Sequence, residues 1–417
     1  MTTSSDGQVA GGVGAQTLEY DAVLLAGFGG PEGPDDVMPF LRNVTRGRGI
    51  PDERLVEVSH HYLALGGSSP INEQNRDLRA ALEVELRSRG VELPVLWGNR
   101  NWDPFLADVI STAAADGQVR LLGLATSAYS SYSGCRQYRE DFGLALASTG
   151  LVGTVRIDKV RPYYDRAGFV APFIDDTKAA VQEALSAGLG LDEIEIVFTT
   201  HSIPMTMAVS SGSDALGDHD GTGAYVNQHL AVCRVIMDEI QALFGSTVSW
   251  QLAYQSRSGP PSMPWLEPDI NDVITALKTQ GRRGVVVAPV GFVSDHVEVV
   301  WDLDNEALET AAAQGVWFRR VATPGTDPRF VSALVDLLVD RLEPGLAPAE
   351  RTSPTGLPPR PDFCAVGCCR NARGTKPTTA AQDSASDWQE LAVDPRALIA
   401  SGIPGVDIPG VDIPGVG

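Results

Sequence analysis

The sequence predicts an α/β protein of two lobes, each a parallel sheet covered by helices. Three observations carry that expectation. Short runs apolar on both faces alternate with amphipathic segments, the runs have buried-strand length, and the alternation restarts once along the chain. In the first set, Asp21–Pro31 (DAVLLAGFGGP) reads as a buried strand ending in a glycine turn, and Pro34–Val44 (PDDVMPFLRNV) as the helix after it. Further strands are expected at Leu93–Asn99, Val119–Tyr129 and Thr154–Val160. The second set opens with Ile194–Pro204 (IEIVFTTHSIP) and continues with Ser249–Ser256 and Gly284–Ser294, with helical stretches such as Val226–Phe244 between them. In such sheets ligands bind beyond the carboxyl ends of the strands, often between lobes.

Composition bounds the function. The 417 residues carry Lys+Arg 32 against Asp+Glu 53, a net charge of −21, which argues against nucleic acid and anionic membrane surfaces as partners. With 43% hydrophobic residues the chain has ample material for a core. The longest uncharged apolar run, Gly284–Val293, falls far short of the ~20 residues that span a bilayer. The first residues, MTTSSDGQVAGGVGAQ, have neither a basic region nor an apolar stretch, and the Cys count of 5 does not suggest a disulfide framework, so the cytoplasm is expected. Residues 1–18 read as disordered, 19–165 and 166–346 as the two lobes, and 347–380 as a Pro-rich linker with a cysteine-cluster segment. Residues 381–417 read as a low-complexity tail with IPGVD repeats.

Four features carry chemistry. His201 follows an apolar strand, and Pro204 blocks regular continuation, so its ring projects toward the crevice where it can take a proton or bind a metal. Bracing a turn is the plainer role for such a residue. In the segment after Gly284–Ser294, a helix is expected to start near Asp295. Asp295, Glu298, Asp302 and Glu306 then fall on one stripe, with Val299, Val300, Leu303 and Ala307 facing the core. Stacked carboxylates repel and favour cations, although a solvated face gives the same spacing. A neutral imidazole opposite that row suits a ferrous ion or proton transfer.

Cys364, Cys368 and Cys369 lie on one short segment, and Cys135 offers a fourth thiol. Four thiolates suit zinc or an iron–sulfur cluster, and spacing does not choose between them. Cys233, inside a helical pattern, reads as a buried small hydrophobe. Arg46 and Arg48, in a Gly-containing loop, could hold substrate carboxylates, and Tyr62, Ser68 and Ser69 lie in the polar stretch that follows.

Together these motifs resemble the ferrochelatases over about Asp21 to Leu342. LLAGFGGPEGPDDVMPFLRNV, GGSSPIN, GNRNWDPF, FTTHSIP, YQSRSGPPSMPWLEP and PVGFVSDHVEVVWDLDNE are each similar to a family signature, in the family's order. The cysteines resemble the [2Fe–2S]-bearing branch, and the whole looks most like actinobacterial enzymes that metallate coproporphyrin III. The resemblance implies two Rossmann-like lobes with a porphyrin cleft between them, the class II chelatase-like fold. It implies that His201 and Glu298 bind the ferrous substrate and take up pyrrole protons, and that Asp302 and Glu306 form an acidic metal or proton path. Ser69 and Tyr138 match positions near the porphyrin, with Tyr62 and Phe28 beside it, and Arg46 and Arg48 are candidates for propionates. Cys135, Cys364, Cys368 and Cys369 match the cluster ligands. The implied partners are porphyrin, ferrous iron and, transiently, neighbouring heme-pathway enzymes, without nucleic acid or integral membrane association.

This sequence departs from the family pattern in three places. Phe28 stands where many coproporphyrin-type relatives have Tyr, Thr45 replaces an Arg, and Cys364-x-x-x-Cys368-Cys369 differs in spacing from the animal enzymes. The alternatives are a protoporphyrin IX ferrochelatase and, from another class, a non-catalytic tetrapyrrole- or metal-binding protein with a redox-sensing cluster.

Overall fold

The computed structural model describes residues 20–379 except 48, 219–220, 260–261, 343–350, 366, 373 and 375. The expectations for residues 1–18, for the 381–417 tail and for Arg48 therefore lie outside the described residues.

In the first lobe, strands β1 (Ala22–Gly27), β2 (Val95–Asn99), β3 (Arg120–Ala125) and β4 (Arg156–Lys159) are all parallel, in the order β2-β1-β3-β4. All six residues of β1 are buried because helices cover both faces, which is why the run carries no alternation. The helices are α1 (Val37–Thr45), α2 (Asp52–Ala64), α3 (Ile71–Ser88), α4 (Leu106–Ala115) and α5 (Gln137–Ser148), the last preceded by a π-helical turn at Tyr132–Arg136.

The second lobe repeats the plan. Strands β5 (Ile194–His201), β6 (Ser249–Gln255), β7 (Gly284–Ala288) and β8 (Trp317–Arg320) form a parallel sheet in the order β6-β5-β7-β8. Around it lie α6 (Ala167–Ser186), α7 (Met205–Val209), α8 (Gly223–Phe244), α9 (Ile270–Leu277), α10 (Val297–Val299), α11 (Leu308–Gln314) and α12 (Pro328–Leu342). Between α10 and α11 the chain is π-helical, Val300–Ala307. All seven expected strands are present. β8 lacked a signal because this edge strand is only partly buried along its length and has no apolar run.

In each sheet the strand that comes first in the chain, β1 or β5, has later strands on both sides. That places a topological switch point, and hence a crevice, beyond its carboxyl end. The lobes are stitched together by α12, which packs on both α3 and α6; Arg89, at the C-cap of α3, donates to Asp336 at 2.5 Å and to the Ser332 hydroxyl at 2.6 Å. Cys233 is fully buried in the core, as expected. Among the described residues no helix is long and apolar enough to cross a membrane.

The Pro-rich stretch differs from the linker expected of it. Arg351 and Arg360 are buried, Arg360 donates to both oxygens of Asp218 at 2.6 Å, and Arg351 donates to the Arg360 carbonyl at 3.0 Å. Proline excludes helix but not docking: Arg360 anchors this segment on Asp218 of the second lobe, while Arg351 ties the segment to itself.

Candidate active site

His201 ends β5, level with Gln255 at the end of β6. Its Nδ1 faces the Ser202 carbonyl, which can only accept, so Nδ1 carries a hydrogen and Nε2 is the atom turned outward toward Glu298, there to gain or lose the second proton. Nε2 stands 3.6 Å from Glu298 Oε2, with the His side chain 33% and the Glu side chain 50% exposed. Burial opposes the imidazolium, but the hydrogen bond and charge of Glu298 outweigh it and hold His201 above its usual range. Burial also opposes the Glu298 carboxylate, yet His201, with a smaller contribution from His296, draws it down to about 2. His296 itself is pushed down by burial, so it stays neutral beside the pair.

Glu298 lies in α10, and Asp302 and Glu306 follow in the π-helical stretch. Their i, i+4, i+8 spacing suits the wider π turn, which keeps the three carboxylates within electrostatic reach of one another. Burial raises Asp302 to about 7, with the charges of Glu298 and Glu306 adding to it, although the Ser256 hydroxyl bonds the carboxylate. Gln255 also donates to Asp302, at 3.3 Å. The fourth expected member of the row is corrected: Asp295 precedes the helix, which opens at Val297, and it is held by Arg320 at 3.1 Å and by the Thr323 hydroxyl at 3.1 Å. The opposite side of the helix is core at Val299, Leu303 and Ala307, which are fully buried, whereas Val300, expected with them, is only partly buried.

The first lobe closes over this row. Val297 packs among Val37, Phe40, Leu55 and Tyr62, which belong to α1 and α2. His61 stacks flat on Trp301 with centroids 4.4 Å apart, and the Trp301 indole N–H donates to Glu306 at 2.8 Å. Tyr62 is buried, and burial together with the Glu298 and Asp302 charges pushes its phenol far above the usual range, so it is a neutral neighbour of the acidic row. Phe28, just beyond β1, is 38% exposed, with Phe40 edge-on at 6.4 Å and the Arg100 guanidinium 5.8 Å from its ring. Ser69 is buried against Gly30, where an added Cβ would lie 2.7 Å from that of Ser69, so it shapes this loop. Arg46 is exposed, with Asn43 Oδ1 accepting at 2.6 Å.

Tyr138 is corrected as a ligand-facing residue. Its side chain is buried in the first-lobe core, under the Arg100 guanidinium at 4.7 Å, because it lies on the inward face of α5. Sequence reasoning also missed Gln255, Ser256 and Trp301, which hold the row. The only signal was the spacing of Glu298, Asp302 and Glu306, four residues apart each time.

The four thiols come together although the chain brings them from distant places. Cys135 sits in the π-helical turn before α5 and clusters with Cys364, Cys368 and Cys369, whose last two sulfurs are 3.8 Å apart. Cys364 packs partly buried against the other three. The Lys159 amine, buried with its residue, lies 3.6 Å from the Cys135 sulfur. The Gly212 N–H donates to the Cys369 sulfur at 3.1 Å. Among the described residues no group of three or more His, Cys, Asp and Glu side chains has the geometry to hold a metal ion.

The family model described as Ferrochelatase matches residues 20–342. The chain belongs to the ferrochelatase family. Among its relatives, a coproporphyrin III ferrochelatase from Leifsonia xyli subsp. xyli is 56% identical over 373 residues, covering 88% of this chain and 95% of that one. One from Streptomyces griseus subsp. griseus is 52% identical over 372 residues, covering 88% of this chain and 97% of its own. Among solved structures, SirB from Bacillus subtilis with Fe3+ covers 77% of this ferrochelatase-family chain and 95% of its own at 12% identity, with a TM-score of 0.43.

Proposed function

We propose that this chain inserts ferrous iron into coproporphyrin III, giving iron-coproporphyrin (coproheme) in heme biosynthesis. The observation that carries the reading is the His201–Glu298 pair at 3.6 Å, with Asp302 poised near neutrality behind it. A porphyrin must shed two N–H protons before its nitrogens can close around a divalent ion, so the site needs a ligand, a base and an exit for protons. In this reading the His201 Nε2 lone pair and the Glu298 carboxylate take the ferrous substrate, both donor types suiting such an ion. As the ion passes to the ring, the same atoms are free to accept the pyrrole protons. Asp302, near 7, exchanges protons readily in either direction at neutral pH, and Glu306 continues the path outward. Phe28 and Tyr62 are assigned to the porphyrin surface, with Ser69 shaping the loop beneath, and Arg46 and Arg48 to propionates. The identity of the relatives supports the choice of coproporphyrin.

We assign a [2Fe–2S] cluster to Cys135, Cys364, Cys368 and Cys369. The chemistry of the donor set supports this: four thiols converge in one cluster, a backbone N–H points at one sulfur, and a buried lysine amine lies against another. When bound, the cluster supplies one-electron chemistry and a cross-link between segments. Metal insertion moves protons and no electrons, so turnover falls to His201, Glu298 and Asp302.

The test is competition between coproporphyrin III and protoporphyrin IX for limiting enzyme under anaerobic ferrous iron. Preferential metallation of coproporphyrin is expected. Preference for protoporphyrin would overturn the substrate assignment, and no metallation of either would point to a binding protein without catalysis.

A further inference from the structure

Outside the catalytic row, the structure holds a connected set of buried hydrogen bonds between the thiol cluster and His201. Cys369 and Gly212 are paired through their backbones. The Cys369 N–H donates to the Gly212 carbonyl at 2.8 Å, while the Gly212 N–H donates to the Cys369 sulfur at 3.1 Å. Next to Gly212, the Ser211 hydroxyl donates to the Ala208 carbonyl at 2.6 Å and accepts the Tyr225 N–H at 2.7 Å. The Tyr225 hydroxyl in turn donates to the His201 carbonyl at 2.9 Å and sits 2.7 Å from the Thr200 hydroxyl. Since the Tyr225 hydrogen goes to the carbonyl, the Thr200 hydroxyl donates to the phenol oxygen.

Every member of this path is fixed from more than one side. Gly212 has φ +88, and the Asp218 carboxylate occupies the space where a Cβ would stand, at 2.3 Å from Oδ2. Asp218 accepts the Ser213 N–H at 2.7 Å and is gripped by Arg360 of the cysteine-bearing segment. Tyr225 is buried, and its ring meets His229 at 4.4 Å, while His229 Nδ1 lies 2.7 Å from the Tyr225 carbonyl. A phenol held this firmly, with its one hydrogen spent on the backbone of His201, sets where the imidazole leaves the end of β5.

We propose that Tyr225 is a positioning residue for His201, and that through Gly212, Ser211 and Tyr225 the occupancy of the four-thiol site biases where His201 sits. The proposal rests on the reading of His201 as catalytic and of the thiols as a cluster site. It gives the cluster a part in a reaction that uses no electrons: it braces the turn on which the base depends. Coupling of this kind is carried by a bonded path whose two ends share a rigid element, and it is established only by measuring the two ends together.

The experiment is a double-mutant cycle on the full chain with Y225F and C369S. Iron and acid-labile sulfide contents, steady-state kinetics and hydrogen–deuterium exchange of residues 202–212 are measured for each variant. Y225F removes only the hydroxyl and is expected to keep the wild-type melting temperature and the porphyrin KM within about twofold, while kcat falls about tenfold. C369S is expected to lower kcat about tenfold and to speed exchange in 202–212, yet to change kcat by less than about twofold when Tyr225 is already Phe. If C369S does not accumulate, the same cycle is run with the wild-type thiol site emptied anaerobically by a chelator. A Y225F enzyme with wild-type kcat, or two losses that simply multiply, would overturn the proposal. Wild-type turnover in H201A, or wild-type protein without iron and sulfide, would instead overturn the readings beneath it.

Discussion

Replacing Glu298 with Gln keeps the shape of the side chain and removes its charge, which isolates the electrostatic part of the pair. At 3.6 Å, two unit charges interact by about 1.2 kcal/mol in bulk water and about 2.3 kcal/mol at an effective dielectric of about 40. Glu298 is half exposed, so the applicable range lies between these values and well below what a buried pair would give. At about 1.4 kcal/mol per pH unit, E298Q should lower the His201 midpoint by about 1 to 1.5 pH units. The sign follows from the cause: the carboxylate favours imidazolium, so its loss makes the proton leave at lower pH. The measurement is an NMR titration of the His201 ring in wild type and E298Q without iron, assigned by comparison with H201A. Turnover of E298Q should fall at least about 100-fold, while the porphyrin Kd stays within about threefold. A His201 midpoint that does not move, or porphyrin binding lost in step with turnover, would refute the argument that the two groups form one charge-coupled site.

Other outcomes follow from the same geometry. Asp302 is raised to about 7, so the folded state holds its proton more tightly than the unfolded chain, and stability from this group drains away as pH rises from about 4 to 7. D302N should therefore gain stability relative to wild type above pH 7 and show no such gain below about pH 4 in denaturant titrations; the same difference at both pH values would contradict the assignment. R360M leaves the buried Asp218 carboxylate without its cation, at a cost of about 3 kcal/mol or more, and should expose residues 351–379 to limited proteolysis. C368S should abolish iron and acid-labile sulfide in anaerobically purified protein, with a zinc-loaded colourless wild type as the contrary result.

How much of this was legible in the sequence depends on whether the signal was local. The inner strands β1, β3, β5 and β7 announced themselves because a parallel strand buried on both faces must be a nearly continuous apolar run, whereas half-exposed edge strand β8 needs none. His201 was visible because such a run ends at a proline. Glu298, Asp302 and Glu306 were visible as spaced acids, but α-helical counting added Asp295, which the structure gives to Arg320; the π-helical stretch that aligns the other three is a backbone property without a compositional mark. Tyr138 resisted assignment because α5 is buried along most of its length, so periodicity does not single out a ligand-facing side. The Pro-rich segment looked like a linker because composition reports what a chain cannot form, not what it docks against. Tyr225 had no sequence signal, since its role rests on hydrogen bonds to Ser211 and His201 that only the fold brings into reach.

The central claim is that the imidazole of His201 and the carboxylate of Glu298 together load iron into coproporphyrin III. Anaerobic stopped-flow absorbance of coproporphyrin III mixed with ferrous iron and either wild-type or H201A protein tests it most directly. Conversion of the free-base spectrum to that of iron-coproporphyrin by wild type, with the H201A trace no faster than the protein-free control, is the predicted result; equal rates for the two proteins would contradict it.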